Sequence, residues 1–343
     1  MDSQVFLKND SSGVNANASF QSSLVKKDKK MLIAIIFVFL SIGILGNFLA
    51  LVKLARKRRY NNGSYTLMLR CLTANNLIGL MGVSTMVIVK RTVPPNILLE
   101  YNHWFCASWV VFRFFGISSG CIAMIMSIDR YIILNHPVIY QEHFTRKFNR
   151  NAILALTLVA GIITFFPLFG FGIYFNDESR QCLRYREAKT LRDRAYAILF
   201  LVFGSLICIT IVTCNTFVIR AILYKKRRRF SNSSSSSSQS SLTKALDINI
   251  KFSKLMAFLS LIFVICWMPQ MISIVLALKT NPLPKEHWFF KLAEALIALL
   301  FTLDPYVYVL SGRNLLNCWC CRSKKSSSIQ NQIRINNSID CSL

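Results

Sequence analysis

MLIAIIFVFLSIGILGNFLALV, residues 31–52, runs for 22 positions without a charged side chain. As a helix rising ~1.5 Å per residue it is long enough to cross roughly 30 Å of bilayer hydrocarbon. Its apolar residues fall on every side of the helix, whereas a helix on a soluble core keeps one polar face. Further apolar stretches follow along the chain, and spans are expected near residues 31–54, 64–89, 103–134, 150–174, 193–223, 252–278 and 287–310. The expected fold class is an all-α membrane protein: a seven-transmembrane helix bundle with a short amphipathic eighth helix over residues 311–321.

Composition agrees. The 343 residues are 53% hydrophobic and only 16% charged. A net charge of +26 invites a nucleic-acid reading, but the placement of the charge argues against that partner. With the N-terminus outside, the inner loops, tail and adjoining span ends hold 22 Lys/Arg against three acids (Glu142, Asp247, Asp340), and the outer segments with their span ends hold 16 against nine. This is the asymmetry of a plasma-membrane protein whose basic loops face the cytoplasm. The runs Arg56 to Arg59 and Lys225 to Arg229 sit directly after apolar spans, where anionic lipid attracts them.

Residues 1–30 are polar, so no cleavable leader is expected there; they are expected outside, with glycosylation sequons at Asn9 and Asn17. Residues 224–251, which include the serine tract Ser231 to Ser241, are expected to be a disordered inner loop, and 322–343 a cytoplasmic tail. Of the eleven cysteines only Cys106 and Cys182 face the oxidising side, and they read as one disulfide pinning the second outer loop to span three. Cys318, Cys320 and Cys321, beside Trp319 and basic residues, suggest palmitoylation that holds the short amphipathic helix on the membrane.

Polar residues inside spans carry the functional information, because each is costly in hydrocarbon unless paired or hydrated. Asn47, Asn76, Arg113 and Asp304 stand out, with Glu294 nearby. Asp129-Arg130-Tyr131 begins 23 residues after Cys106, about 35 Å along a helix, and so reaches the inner interface. The set Gly46-Asn47, Asp129-Arg130-Tyr131 with Pro137, Cys266-Trp267-Met268-Pro269 and Asp304-Pro305-Tyr306-Val307-Tyr308, taken in order with the two outer cysteines, resembles the signature of rhodopsin-like G-protein-coupled receptors. The resemblance covers roughly residues 31–321. It implies a receptor, with a heterotrimeric G protein, receptor kinases and arrestin as partners beside the bilayer. Pro269 and Pro305 remove backbone hydrogen bonds where spans six and seven must bend. The resemblance further implies that Asp129 holds Arg130 at rest and that Trp267 senses ligand. Serines such as Ser233 to Ser238 offer kinase sites.

A narrower likeness is to the prostanoid receptors. Tyr140-Gln141-Glu142-His143-Phe144-Thr145-Arg146 is close to that family's inner-loop motif, and Cys214-Asn215, Gly116, Ser118, Ser119 and Pro167-Leu168-Phe169-Gly170 also match. It implies a small acidic lipid, prostaglandin-like, as ligand. Several anchors depart from the pattern. The carboxylate-binding arginine expected nine residues before Asp304 is Ala295, the tyrosine expected atop span two is Arg91, and Asn76 replaces an aspartate that usually helps to hold sodium. Arg113, two turns inside Cys106, is the candidate replacement, with Arg91 and Lys291 higher up. The alternative is that Arg113 pairs with Glu294. An amine ligand is disfavoured by arginine where amine receptors carry aspartate; a peptide or another lipid remains open. A transporter would need a continuous polar path, and ionisable groups are sparse. The four histidines lie near span ends or in loops and no HExxH or paired-carboxylate constellation occurs, so neither enzyme activity nor a cofactor or metal is expected.

Overall fold

A computed structural model describes residues 10–56, 64–184, 187–188, 190–231, 240–279 and 288–307. The helices are α1 (Asp10–Arg56), α2 (Ser64–Thr92), α3 (Pro95–Glu100), α4 (Asn102–Asn135), α5 (Pro137–His143), α6 (Arg146–Phe165), α7 (Leu191–Ser231), α8 (Ser240–Lys279) and α9 (288–307). A hairpin, β1 (Phe175–Asn176) with β2 (Gln181–Cys182), lies between α6 and α7. Asn9, Tyr308, Cys318, Cys320 and Cys321, the short helix at 311–321 and the tail at 322–343 lie outside the described residues.

Among the described residues seven long helices, α1, α2, α4, α6, α7, α8 and α9, make an all-α bundle. Six of them are long and apolar enough to cross a bilayer. The seventh, α9, carries three ionisable residues, Lys291, Glu294 and Asp304. Large apolar side chains such as Leu154, Leu158, Ile209 and Ile265 point away from the bundle at 59–66% exposure, a surface that only hydrocarbon would cover. The interior is closely packed around α4, which touches α2, α6, α7 and α8. In α4, 61% of the most apolar window is buried, against 28% in α1.

Close approach explains part of this packing, because small residues let helices meet without a hydrophobic drive between them. A Cβ added at Gly43 would lie 2.8 Å from Thr302 Oγ1, and one at Gly46 the same distance from the Tyr306 ring. With α1 and α9 so near, the Tyr306 hydroxyl donates to the Ile42 carbonyl at 2.8 Å.

Three boundaries differ from expectation. The fourth span was placed at 150–174, yet α6 ends at Phe165. Pro167 opens a 3₁₀ turn over Phe166–Phe169, and Gly170 follows at φ 85°, a left-handed position that glycine occupies without penalty. Within 224–251, expected to be a disordered loop, α7 continues to Ser231 and α8 starts at Ser240. Lys225 to Arg229 are good helix formers, and elongating an existing helix costs far less than nucleating one. For the same reason α1 reaches back through the polar leader, which has no proline, to Asp10 and so includes Asn17.

Candidate functional site

Two clusters of polar side chains stand at opposite ends of the bundle. At one end Asp129 and Arg130, on the last turns of α4, form an ion pair and are 1% and 4% exposed. Both carboxylate oxygens of Asp129 are used. Oδ2 takes the Arg130 guanidinium, while Oδ1 accepts from Asn149 Nδ2 at 2.8 Å and from the Tyr140 hydroxyl at 3.3 Å. Local sequence sets these partners in place. Pro137 starts α5, presenting Tyr140; Thr145 caps α6 by accepting from the Phe148 N–H at 3.2 Å, which orients Asn149 one residue later. Asn149 also donates to Ser64 Oγ at 2.6 Å, drawing in the start of α2. Burial, then the Asp129 charge and hydrogen bond, push the Tyr140 phenol up to about 12 although Arg130 opposes them, so it stays a donor at neutral pH. Tyr131 packs its ring 5.6 Å from Phe217 of α7.

Midway along the bundle, Asn76 Nδ2 donates to Asp304 Oδ2 at 2.8 Å, and Asn47 Nδ2 donates to the carbonyls of Gly43 and Phe301 at 2.9 and 3.0 Å. An amide hydrogen therefore points at Asp304 where a second carboxylate would have attracted a cation. Pro305 follows within α9, and Pro269 lies inside α8. Trp267, 3% exposed, stacks on Phe263 with ring centroids 5.4 Å apart. Glycines of α4 admit this stack: a Cβ at Gly116 would sit 3.5 Å from the Trp267 ring, and one at Gly120 only 2.7 Å from Phe263 Cζ. Ser127 Oγ donates to Ser260 Oγ at 3.0 Å, joining α4 to α8 below the rings.

The other end is organised by the hairpin. Cys106 and Cys182 form a disulfide with Cα atoms 5.2 Å apart. The strands pair Phe175 with Cys182 and Asn176 with Gln181, and Asn176 Oδ1 closes the turn by accepting from the N–H groups of Glu178 and Ser179 at 2.9 and 3.2 Å. Asn102 Nδ2 donates to the Arg180 carbonyl, and His103 meets Tyr174 at 2.7 Å, so the start of α4 is gripped from two sides. Burial and the charge of Asp177 raise the Tyr174 phenol above its ordinary value, keeping it protonated for that contact.

Of the ligand residues expected, Arg113 is half-buried on α4, Ser118 is buried, and Arg91 and Lys291 are exposed. Glu294 pairs with Arg184 of the loop. Sequence reasoning set Glu294 against Arg113 and missed Arg184, which stands in no motif. It missed Asn149 too, although a lone amide one helical turn from a span end is a usable signal. A cavity of about 500 Å³ opens on the lipid-facing side of α4 and α6, lined by Phe114, Thr157, Gly161 and Phe165 among others. None of the expected ligand residues lines it.

The fold and the ordered polar clusters define a class. The family model for the "7 transmembrane receptor (rhodopsin family)" matches residues 46–308, and the chain belongs to that family of receptors. Among curated relatives it is similar to the prostaglandin E2 receptor EP2 subtype of Canis lupus familiaris, at 24% identity over 84% of this chain and 85% of that protein. The prostaglandin E2 receptor EP3 subtype of Oryctolagus cuniculus is 24% identical over 81% of this chain and 72% of its own length. A GQ-coupled rhodopsin of Mizuhopecten yessoensis is also 24% identical, over 64% of this chain and 46% of its own.

Proposed function

We propose that this receptor sits in the plasma membrane with its N-terminus outside, binds an acidic lipid of the prostaglandin E2 type, and activates a heterotrimeric G protein. The observation that carries the coupling half is the buried Asp129–Arg130 pair at the end of α4, closed over by Tyr140 and Asn149. A buried cation paired with a buried carboxylate is a two-state element: held at rest, or released toward a partner that supplies acceptors of its own. Agonist favours the released state by acting on the Trp267–Phe263 stack. Straightening or bending α8 at Pro269 then moves its inner half, which Ser260 ties to Ser127 of α4. Tyr308, outside the described residues, belongs to the same switch.

The ligand half draws on the likeness to prostaglandin E2 receptors and on Arg113, a half-buried guanidinium on α4 two turns inside Cys106. Arg113, with Arg91 and Lys291 above it, receives the carboxylate through charge-assisted hydrogen bonds, and Ser118 lies deeper on the same helix. Receptor kinases and arrestin act on the serines of the inner loop and tail, where phosphate would reverse the local charge. Sequons at Asn9 and Asn17 carry glycans, and Cys318, Cys320 and Cys321 carry acyl chains.

The test is a paired cAMP and calcium assay in cells expressing the chain, with surface expression confirmed. A response to sub-micromolar prostaglandin E2 that weakens at least tenfold with the methyl ester and vanishes with Arg113→Gln is the expected result. Equal potency of acid and ester would remove the carboxylate from the account. Ala295, in place of the arginine that the resemblance expects, favours one second reading, a receptor of this family for another ligand such as a peptide. Silence to every prostanoid would leave that reading standing.

A further inference from the structure

Arg184 and Glu294 form an ion pair across the disulfide end, joining the loop just after β2 to α9. Arg184 follows Cys182 by two residues, so its backbone is already held, to α4 by the disulfide and to the other arm of the hairpin by the Tyr174 carbonyl, which accepts from the Leu183 N–H at 2.9 Å. The pair is not needed to place the loop. Nor does it add much stability: its side chains are 43% and 40% exposed, and pairs so wetted contribute ~0–1 kcal/mol. What it does is hold a guanidinium, aimed by a fixed loop, against a carboxylate at the rim of the bundle. Exposed cations stand at the last turn of α2, Lys90 and Arg91, and in the first turn of α9, Lys291. A rim of this sign draws anions inward.

We propose that Arg184 is an entry subsite for the ligand's carboxylate and that Glu294 is an internal carboxylate occupying it between ligands. This rests on the acidic-lipid reading above and adds to it a site that precedes Arg113 on the way in. At Arg184 the exchange is carboxylate for carboxylate, so its charge and hydrogen bonds are conserved, while the displaced Glu294, 40% exposed, is solvated by water in place of the guanidinium, which keeps the barrier small. The same step loosens the tie between the loop and α9, so an acid opens its own path and a neutral analogue does not. Charges at a rim act mainly on the association rate.

The experiment measures association of tritiated prostaglandin E2 and of its tritiated methyl ester on membranes with matched receptor levels. Wild type is compared with Arg184→Gln, Arg184→Lys and Glu294→Gln. For the acid, Arg184→Gln should slow association by about 3- to 10-fold, Glu294→Gln should speed it by about 3-fold, and Arg184→Lys should fall between. The ester should not separate Arg184→Gln from Glu294→Gln. Opposite signs for the two partners are the mark of competition. Should both substitutions move the acid in the same direction, or neither move it, the pair is only a brace and the entry subsite is overturned while acid binding survives. Should wild type bind neither acid nor ester, or bind both at one rate, the acidic-lipid reading fails and the subsite falls with it. If Arg184→Gln does not reach the membrane, the Arg184→Lys and Glu294→Gln results decide by their signs.

Discussion

Two guanidinium–carboxylate pairs mark the two ends of this receptor, and they differ in almost everything except chemistry. Arg130–Asp129 is sealed, with side chains 5% and 1% exposed, and joins neighbours on one helix. Arg184–Glu294 is wet on both sides and bridges elements more than a hundred residues apart. In the sealed pair each charge depends on the other, because both are shielded from solvent and Tyr140 and Asn149 also donate to Asp129. In the wet pair water stands ready to replace either partner. The first arrangement suits a switch that must hold until forced; the second suits a place where ligands come and go.

That contrast can be broken by experiment. Its largest expected consequence is for Asp129→Ala, which strands a buried guanidinium. A cost of roughly 3–5 kcal/mol to the resting state should appear as a clear fall in Tm in detergent, together with raised ligand-free nucleotide exchange on added G protein. An unchanged Tm would mean that Arg130 is not sealed. Replacing Cys106 and Cys182 together by serine should cost about 2–5 kcal/mol, because the bond closes a long loop. Surface labelling of intact cells should then fall severalfold, and normal surface levels would show that the hairpin's other contacts suffice.

Asn76→Leu leaves the buried Asp304 carboxylate without its amide donor, at about 1–3 kcal/mol. A smaller Tm loss than for Asp129→Ala is expected, and a loss as large would equate a neutral contact with an ionic one. Gly120→Ala should act on the same scale or less, about 1–3 kcal/mol, because the new methyl meets Phe263 and the ring must shift. Tryptophan fluorescence should report the disturbance at Trp267; an unperturbed spectrum would show slack in the stack. The smallest effect belongs to Arg184→Gln, under ~1 kcal/mol, so its Tm should match wild type even where ligand association changes. A large drop in Tm would make the wet pair structural and dissolve the contrast.

Much of the fold was legible because hydrocarbon imposes simple demands. A helix must be long and apolar to cross it, and Met31 to Val52 meets both conditions on inspection. Ends were less legible: the fourth helix stops at Phe165 because Pro167 and Gly170 override an apolar run that continues past them. Within the candidate site, Asp129-Arg130 and Cys106 with Cys182 could be read as local or compartmental facts. Ser260 and Arg184 could not, since each acquires meaning only from a neighbour brought close by packing.

Sequence alone thus determined the spans, their number, the charge asymmetry and the residues too polar to be idle in a membrane, because these follow from transfer free energies that each residue carries with it. Which of those residues meet was decided by tertiary structure. Glu294 turned to Arg184, Asn76 gave its amide hydrogen to Asp304, and Asp129 gathered Tyr140 and Asn149. Pairing depends on helix rotation and on the close approach that glycines permit, and no single stretch of chain encodes the distance between two others.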